Sequence, residues 1–156
     1  MVVMDSKVAI IILSYNSLSD TTKPCIESIY KAKTDIDFKV VIVDNLSTDG
    51  TREYLQQVND QYKNLQIILN DKNTGFAGGN NIGIKSVKAE TYILLNSDTI
   101  VTDYWLDKLV LFADNNPEVG LIGPVTNSVG NEQLIKTYSQ KEEDIINEGV
   151  EWANIC

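Results

Sequence analysis

The chain contains no histidine. That removes the side chain most often used as a general base, and the commonest ligand sets of catalytic zinc. Cysteine is nearly as scarce: Cys25 and Cys156 stand far apart with no metal-type spacing, and they read as cytosolic thiols. Lys and Arg number 13 against 22 Asp and Glu, giving a net charge of -9. No basic cluster interrupts that balance, so a nucleic-acid partner is excluded. A small anionic ligand stays admissible, because a metal ion or helix N-termini can neutralise it locally. No run of about 20 apolar residues is present, so no transmembrane segment is expected. The opening "MVVMDSKVAIIIL" lacks a basic start and a small-residue cleavage site, and reads as a strand rather than a secretion signal. A cytoplasmic location follows as the expectation.

What is present is alternation, without internal repeat or low-complexity segment. With 156 residues, a single domain over 1–156 is expected. Its core would be 7–127, with 128–156 a partial continuation. Lys7 to Leu13 is an almost unbroken apolar run, as in a strand buried on both faces. A helix carrying Ile26, Ile29 and Tyr30 follows, with Ser19 or Asp20 as its cap and Pro24 tolerated in its first turn. "FKVVIVD", "LQIILN" and "TYILLN" read as the next strands, and "VGLIGP" as a fifth. The spacing predicts helices over Arg52–Val58, Ala77–Ser86 and Asp103–Asp114 between or after them. Past Pro124 the pattern weakens to a polar loop, a short strand over Leu134–Thr137 and an acidic helix-like stretch. Strand-helix-strand alternation predicts an α/β fold: a Rossmann-like, mostly parallel sheet with helices on both faces.

In such sheets, ligands sit beyond the carboxyl ends of the strands. Here four of those ends carry polar clusters: "SYN", "DN", "NDKN" and "NSD". Several nucleotide sites can be dismissed on named residues. No glycine-rich turn ends in Gly-Lys-Ser/Thr, and "SYNSLSD" stands where a dinucleotide fingerprint would follow the first strand. "GFAGGNNIG" is glycine-rich but wrongly spaced, and the paired acids of a receiver domain are replaced by Ser14, Tyr15 and Asn16. Asp44 can accept a hydrogen bond from a base or ribose, or simply hold the turn in "DNLSTDG". Tyr15 can lie over a flat base or be an ordinary strand-end aromatic. Asp98, with Asn96 beside it, suits a hard divalent cation shared with phosphate oxygens and water, or caps the turn before "TIVTD". Gly75, Gly78, Gly79 and Gly83 admit a ligand, or let a helix pack tightly on the sheet. Asn80 and Asn81 can bond a ligand or satisfy the helix start.

Taken in order, "VAIIILSYNSLSDTTKPCIESI", "VVIVDNLSTDGT", "NTGFAGGNNIGI" and "YILLNSDTIV" resemble the donor-binding portion of inverting family-2-type glycosyltransferases with the GT-A fold. The third stretch has the form of the rhamnosyltransferase-like branch. The resemblance covers about residues 7 to 127. It implies that Ser14, Tyr15 and Asn16 line the nucleotide base and that Asp44 bonds it. The loop at Gly75, Asn80 and Asn81 would approach the nucleotide or its diphosphate. Asp98 would coordinate Mg2+ or Mn2+, and Asn96 replaces the first acid of the family's Asp-x-Asp motif.

The donor class implied is a UDP-, GDP- or dTDP-sugar, and the acceptor a glycan or lipid-linked glycan. The mechanism implied is a single displacement with inversion. Its carboxylate base is expected beyond Cys156, since a solvated helix start accounts better for Asp103 and Asp107. The chain is accordingly expected to be a truncated, inactive fragment of an enzyme of bacterial surface polysaccharide synthesis. The full-length enzyme would be cytoplasmic or peripheral at the inner membrane face. The competing reading is a non-catalytic nucleotide-sugar-binding or structural domain.

Overall fold

The computed structural model describes residues 5–124. The chain divides into two compact units, one comprising Met1–Lys31 and Asp35–Val101, the other Ala32–Thr34 and Thr102–Cys156. The first unit holds strands β1 (Ser6–Ser14), β2 (Phe38–Asp44), β3 (Leu65–Leu69) and β4 (Ala89–Asn96). Between them run helices α1 (Lys23–Lys31), α2 (Thr51–Asn59) and α3 (Gly75–Lys85). The four strands form one parallel sheet in the order β3-β2-β1-β4, as the alternation requires.

The apolar run of β1 is sealed throughout, with Val8, Ala9, Ile10, Ile11 and Ile12 all at zero exposure. Successive side chains point to opposite faces, so both faces of the central strand are covered. On one face, Ala9, Ile11, Val41 and Val43 form a cluster with Val87 and Ala89, and Ile82 and Ile84 of the α3 segment pack onto it. That close approach depends on two glycines. A Cβ on Gly79 would lie 2.2 Å from Leu13 Cδ1, and one on Gly83 would lie 2.5 Å from Ile11 Cγ2. The sheet-packing reading of these glycines therefore holds. Cys25, Ile26 and Ile29 of α1 and Leu55 and Val58 of α2 are also buried. By contrast β4 alternates between exposed and part-buried residues after Ala89.

The first helix begins differently from expectation. Neither Ser19 nor Asp20 caps it. Leu18–Thr22 forms a π-helical turn instead, in which Ser17 O accepts the N–H groups of Thr21 (3.3 Å) and Thr22 (2.9 Å). Thr22 is drawn in because its hydroxyl meets Ser14 Oγ at 2.9 Å. Pro24 lies in the first turn of α1, where its missing N–H costs nothing. The expected strand over "VGLIGP" does not form: residues 119–124 are coil, with Val119 N–H donating back to Asn116 O at 3.0 Å, and Leu121 is 92% exposed. Two glycines and a proline within six residues leave little apolar pattern to hold a ladder. The expected strand at Leu134–Thr137 and the acidic stretch after it lie outside the described residues.

In the second unit, α4 (Trp105–Asn115) buries Leu106 and Val110. Asp103 precedes it and is occupied structurally. Its Oδ1 accepts Lys33 N–H at 2.9 Å, and its Oδ2 pairs with Lys33 Nζ at 3.3 Å. The Lys33 backbone contact, against slight desolvation, and then the lysine side chain hold the Asp103 carboxyl below its usual range. Asp107 lies in the first turn of α4.

Candidate functional site

The strand register aligns the polar ends on one edge. Ser14 pairs with Asp44, Leu13 with Asn96, and Asp44 with Leu69. The residues immediately beyond these positions are therefore neighbours along the same carboxyl rim.

Asp44 closes β2 and is completely buried. Its Oδ2 accepts the N–H groups of Leu46 (3.2 Å) and Ser47 (3.1 Å), and Arg52 Nε lies 3.6 Å from it. Arg52 Nη1 in turn donates to Asn70 O at 3.2 Å. The turn-holding role is thus real for one oxygen. The other, Oδ1, is buried with no hydrogen-bond partner. A buried carboxylate oxygen left unsatisfied is costly, and an incoming N–H or hydroxyl would relieve it. The turn also keeps Leu46 at φ 73, a left-handed conformation uncommon for a bulky residue.

The next residue ties the rim together. Asn45 is buried, and its Nδ2 donates to Asn73 Oδ1 at 2.8 Å and to Gly75 O at 3.5 Å. Its Oδ1 accepts from Asn70 Nδ2 (3.1 Å), Thr74 N (2.9 Å) and Thr74 Oγ1 (3.1 Å). Its own N–H reaches Ser14 O at 2.9 Å. Through its backbone N–H and its side-chain amide together, this one residue fixes the ends of β1, β2 and β3 relative to each other.

The loop after β1 is laced to the loop after β2. Asn16, at φ 49, donates its N–H to Ser47 Oγ (3.0 Å) and accepts Thr48 N–H on Oδ1 (2.7 Å). Leu18 N–H donates to Asp49 Oδ2 at 2.9 Å, and Asp49 Oδ1 accepts from Thr51 Oγ1 (2.5 Å) and Thr51 N (3.1 Å). Desolvation, the largest single influence, raises the Asp49 carboxyl, but these hydrogen bonds together outweigh it and hold the pKa below its usual value. Ser14 is fully buried with its hydroxyl on Thr22. Tyr15, 49% exposed, directly follows the end of β1.

At the start of α3, Gly75 takes φ 72, which only glycine adopts freely. Nothing lies within 4 Å of where its Cβ would be, so backbone is open there. Asn80 is buried and donates to Phe76 O of its own helix at 2.9 Å, while Asn81 is exposed.

Beyond β4, Asn96 O accepts Thr99 N–H at 3.2 Å and closes a turn. Asn96 and Asp98 are exposed on it. Cys25 is buried beneath, its Sγ 3.6 Å from Asn96 O. Burial, with a contribution from the Asp98 carboxylate and against the Thr99 backbone, pushes that thiol up to about 11. Among the described residues no group of three or more His, Cys, Asp or Glu could hold a metal ion. Asp98 alone is not a cage. It does fit the pattern of Mg2+ or Mn2+, which take one or two protein carboxylates and complete their shell with phosphate oxygens and water.

The sequence model of glycosyl transferase family 2 matches residues 9–153. The chain belongs to this family. Among curated relatives of this family-2 chain, the teichoic acid poly(glycerol phosphate) polymerase of Staphylococcus epidermidis is 32% identical, over 77% of this chain and 16% of that protein. The poly(ribitol-phosphate) beta-glucosyltransferase of Bacillus spizizenii is 27% identical, over 89% and 26%. The chain thus spans well under half the length of these relatives. Among solved structures, S. aureus TarS 1–349 in complex with UDP-GlcNAc superposes with a TM-score of 0.62 at 25% identity, covering 71% of this chain and 32% of that one. The mannosyltransferase PcManGT from Pyrobaculum calidifontis shares the fold, at a TM-score of 0.58 and 22% identity. The four-stranded parallel sheet with its helices is accordingly a GT-A fold. No described helix is long and apolar enough to cross a membrane.

Of the residues singled out from sequence, the rim of this family-2 chain brings together Ser14, Tyr15, Asn16, Asp44 and Gly75, with Asn96 and Asp98 on the same edge. Asn80 turns to its own helix. Sequence reasoning passed over Asn45, Asn70 and Arg52. The "DN" pair and the Arg at the start of the next helix were visible, but the side-chain partners of Asn45 lie 25 to 30 residues away and Arg52 reaches Asn70 O across 18.

Proposed function

We propose that the chain is the donor-binding portion of a metal-dependent glycosyltransferase that takes a nucleoside-diphosphate sugar. One observation carries this reading. Four strand ends in register leave a buried, unpartnered carboxylate oxygen on Asp44 and an exposed carboxylate on Asp98 along one rim. An acceptor-only oxygen in a buried place selects an N–H or O–H of a ligand, and Asp44 would receive the base in this way. Tyr15 would cover the base, with Asn16 holding its loop in place and Ser14 anchoring the strand end. The open backbone at Gly75 and the Asn80–Asn81 stretch would face the nucleotide or its diphosphate.

Asp98 would hold Mg2+ or Mn2+, with Asn96 bonding ribose or a water of the ion. A bound divalent ion would supply positive charge to the diphosphate as it departs. TarS has been solved with UDP and with UDP-GlcNAc, which supports this class of donor. The "GFAGGNN" form makes a dTDP-linked rhamnosyl donor one to try alongside UDP- and GDP-sugars. The transfer itself would be a displacement with inversion onto a glycan or polyol-phosphate acceptor, its carboxylate base coming from the remainder of a longer enzyme, because the chain spans only 16% and 26% of two relatives. The chain alone should therefore transfer no sugar.

Calorimetry with UDP, GDP and dTDP, with and without Mn2+, tests this. Mn2+ should tighten binding of one nucleotide by about tenfold or more, a difference of about 1.4 kcal/mol, and Asp98→Asn should remove that gain. Identical affinities with and without metal, or measurable sugar transfer by the chain alone, would contradict the reading.

A further inference from the structure

The Asp98 carboxylate takes no hydrogen bond or ion pair from any described residue. Its direction must therefore be set by the backbone that carries it. That backbone is a six-residue excursion from Asn96 to Val101, and one turn of α1 grips it at both ends. At the entrance, Cys25 Sγ donates to Asn96 O at 3.6 Å, the same oxygen that closes the turn with Thr99 N–H. At the exit, Val101 N–H donates to Ser28 Oγ at 3.1 Å. Ser28 commits its own proton to Cys25 O at 2.8 Å. With the proton fixed inward, a lone pair of the hydroxyl is aimed at Val101, so the contact is directional as well as close.

We propose that Ser28, assisted by Cys25, is a positioning residue for Asp98. Spaced three apart on α1, the two side chains stand on one helix face and pin the turn as a staple would. This rests on the reading of Asp98 as the cation-binding carboxylate, and it extends that reading to residues that touch neither cation nor nucleotide. A hydroxyl is needed at 28 and a small buried group at 25. The rest of α1 needs only its apolar face.

The test compares the wild-type chain with Ser28→Ala, Ser28→Thr and Asp98→Asn. Affinity for UDP, GDP and dTDP is measured by calorimetry in Mn2+ and again in EDTA. Ser28→Ala should weaken binding in Mn2+ by about five- to tenfold, the scale of one hydrogen bond lost. In EDTA it should stay within about twofold of wild type, and Ser28→Thr should restore the Mn2+ value. An equal loss in both conditions, or no loss in either, overturns the positioning role. If Asp98→Asn abolishes the Mn2+ gain while Ser28→Ala leaves it intact, this inference alone falls. If wild type shows no Mn2+ gain, or Asp98→Asn retains it, the metal reading falls and this inference with it.

Discussion

At the scale of single residues, the rim is governed by carboxylates and amides whose two ends do different work. Asp44 spends one oxygen on its own turn and keeps the other unpartnered. Asp49 spends both, on Leu18 and Thr51. Since those bonds favour its charged form, folding binds that proton less readily than the unfolded chain does. Its stabilising contribution is complete above the usual carboxylate value of 3.8 and is lost as pH falls through the lower folded value. Asp49→Ala should therefore lower the urea midpoint at pH 7, and the gap from wild type should shrink as pH drops below about 4. A gap that stays constant into acid would contradict the assignment. The effect will be modest, because the side chain is exposed and screened.

Helices and strands show what the sequence makes legible and what it hides. Apolar runs such as "FKVVIVD" locate strands because both faces of a central parallel strand are buried. The start of α1 was hidden, because Thr22 is recruited by Ser14 from eight residues away. Asn45 was hidden for the same reason on a larger scale: an Asn after a strand looks like a turn residue until Asn70 and Thr74 arrive beside it. The glycines of α3 left two readings open, and the distances to Leu13 and Ile11 decide between them for Gly79 and Gly83. Gly83→Ala would press on the branched methyl of fully buried Ile11. Overpacking of about 1–3 kcal/mol then exceeds the helix-propensity gain of about 1 kcal/mol, so a lower urea midpoint is expected. Gly79→Ala meets the far end of part-buried Leu13, which can swing aside, and should cost less. The reverse order would mean that α3 does not sit on the sheet as described.

On the scale of the whole chain, the parallel topology converts positions some 80 residues apart into one edge. Composition pointed the same way, since an acidic chain without histidine suits a metal-bridged anionic ligand better than a polyanion. The shallow hollows of about 380 Å³ beside Tyr30 and Tyr62 and of about 220 Å³ beside Gln56 and Leu69 offer a useful internal contrast. Tyr30 and Tyr62 stack there at 3.5 Å, away from the strand ends that carry Asp44 and Asp98. The most direct measurement is amide chemical-shift mapping of the 15N-labelled chain, titrated with a nucleoside diphosphate and Mg2+. The account predicts shifts at Tyr15–Asn16, Asp44–Leu46, Gly75 and Asn96–Thr99, with the amides around Tyr30 and Tyr62 unmoved. Shifts confined to those two tyrosines, or to Gln56 and Asn59 of α2, would contradict it.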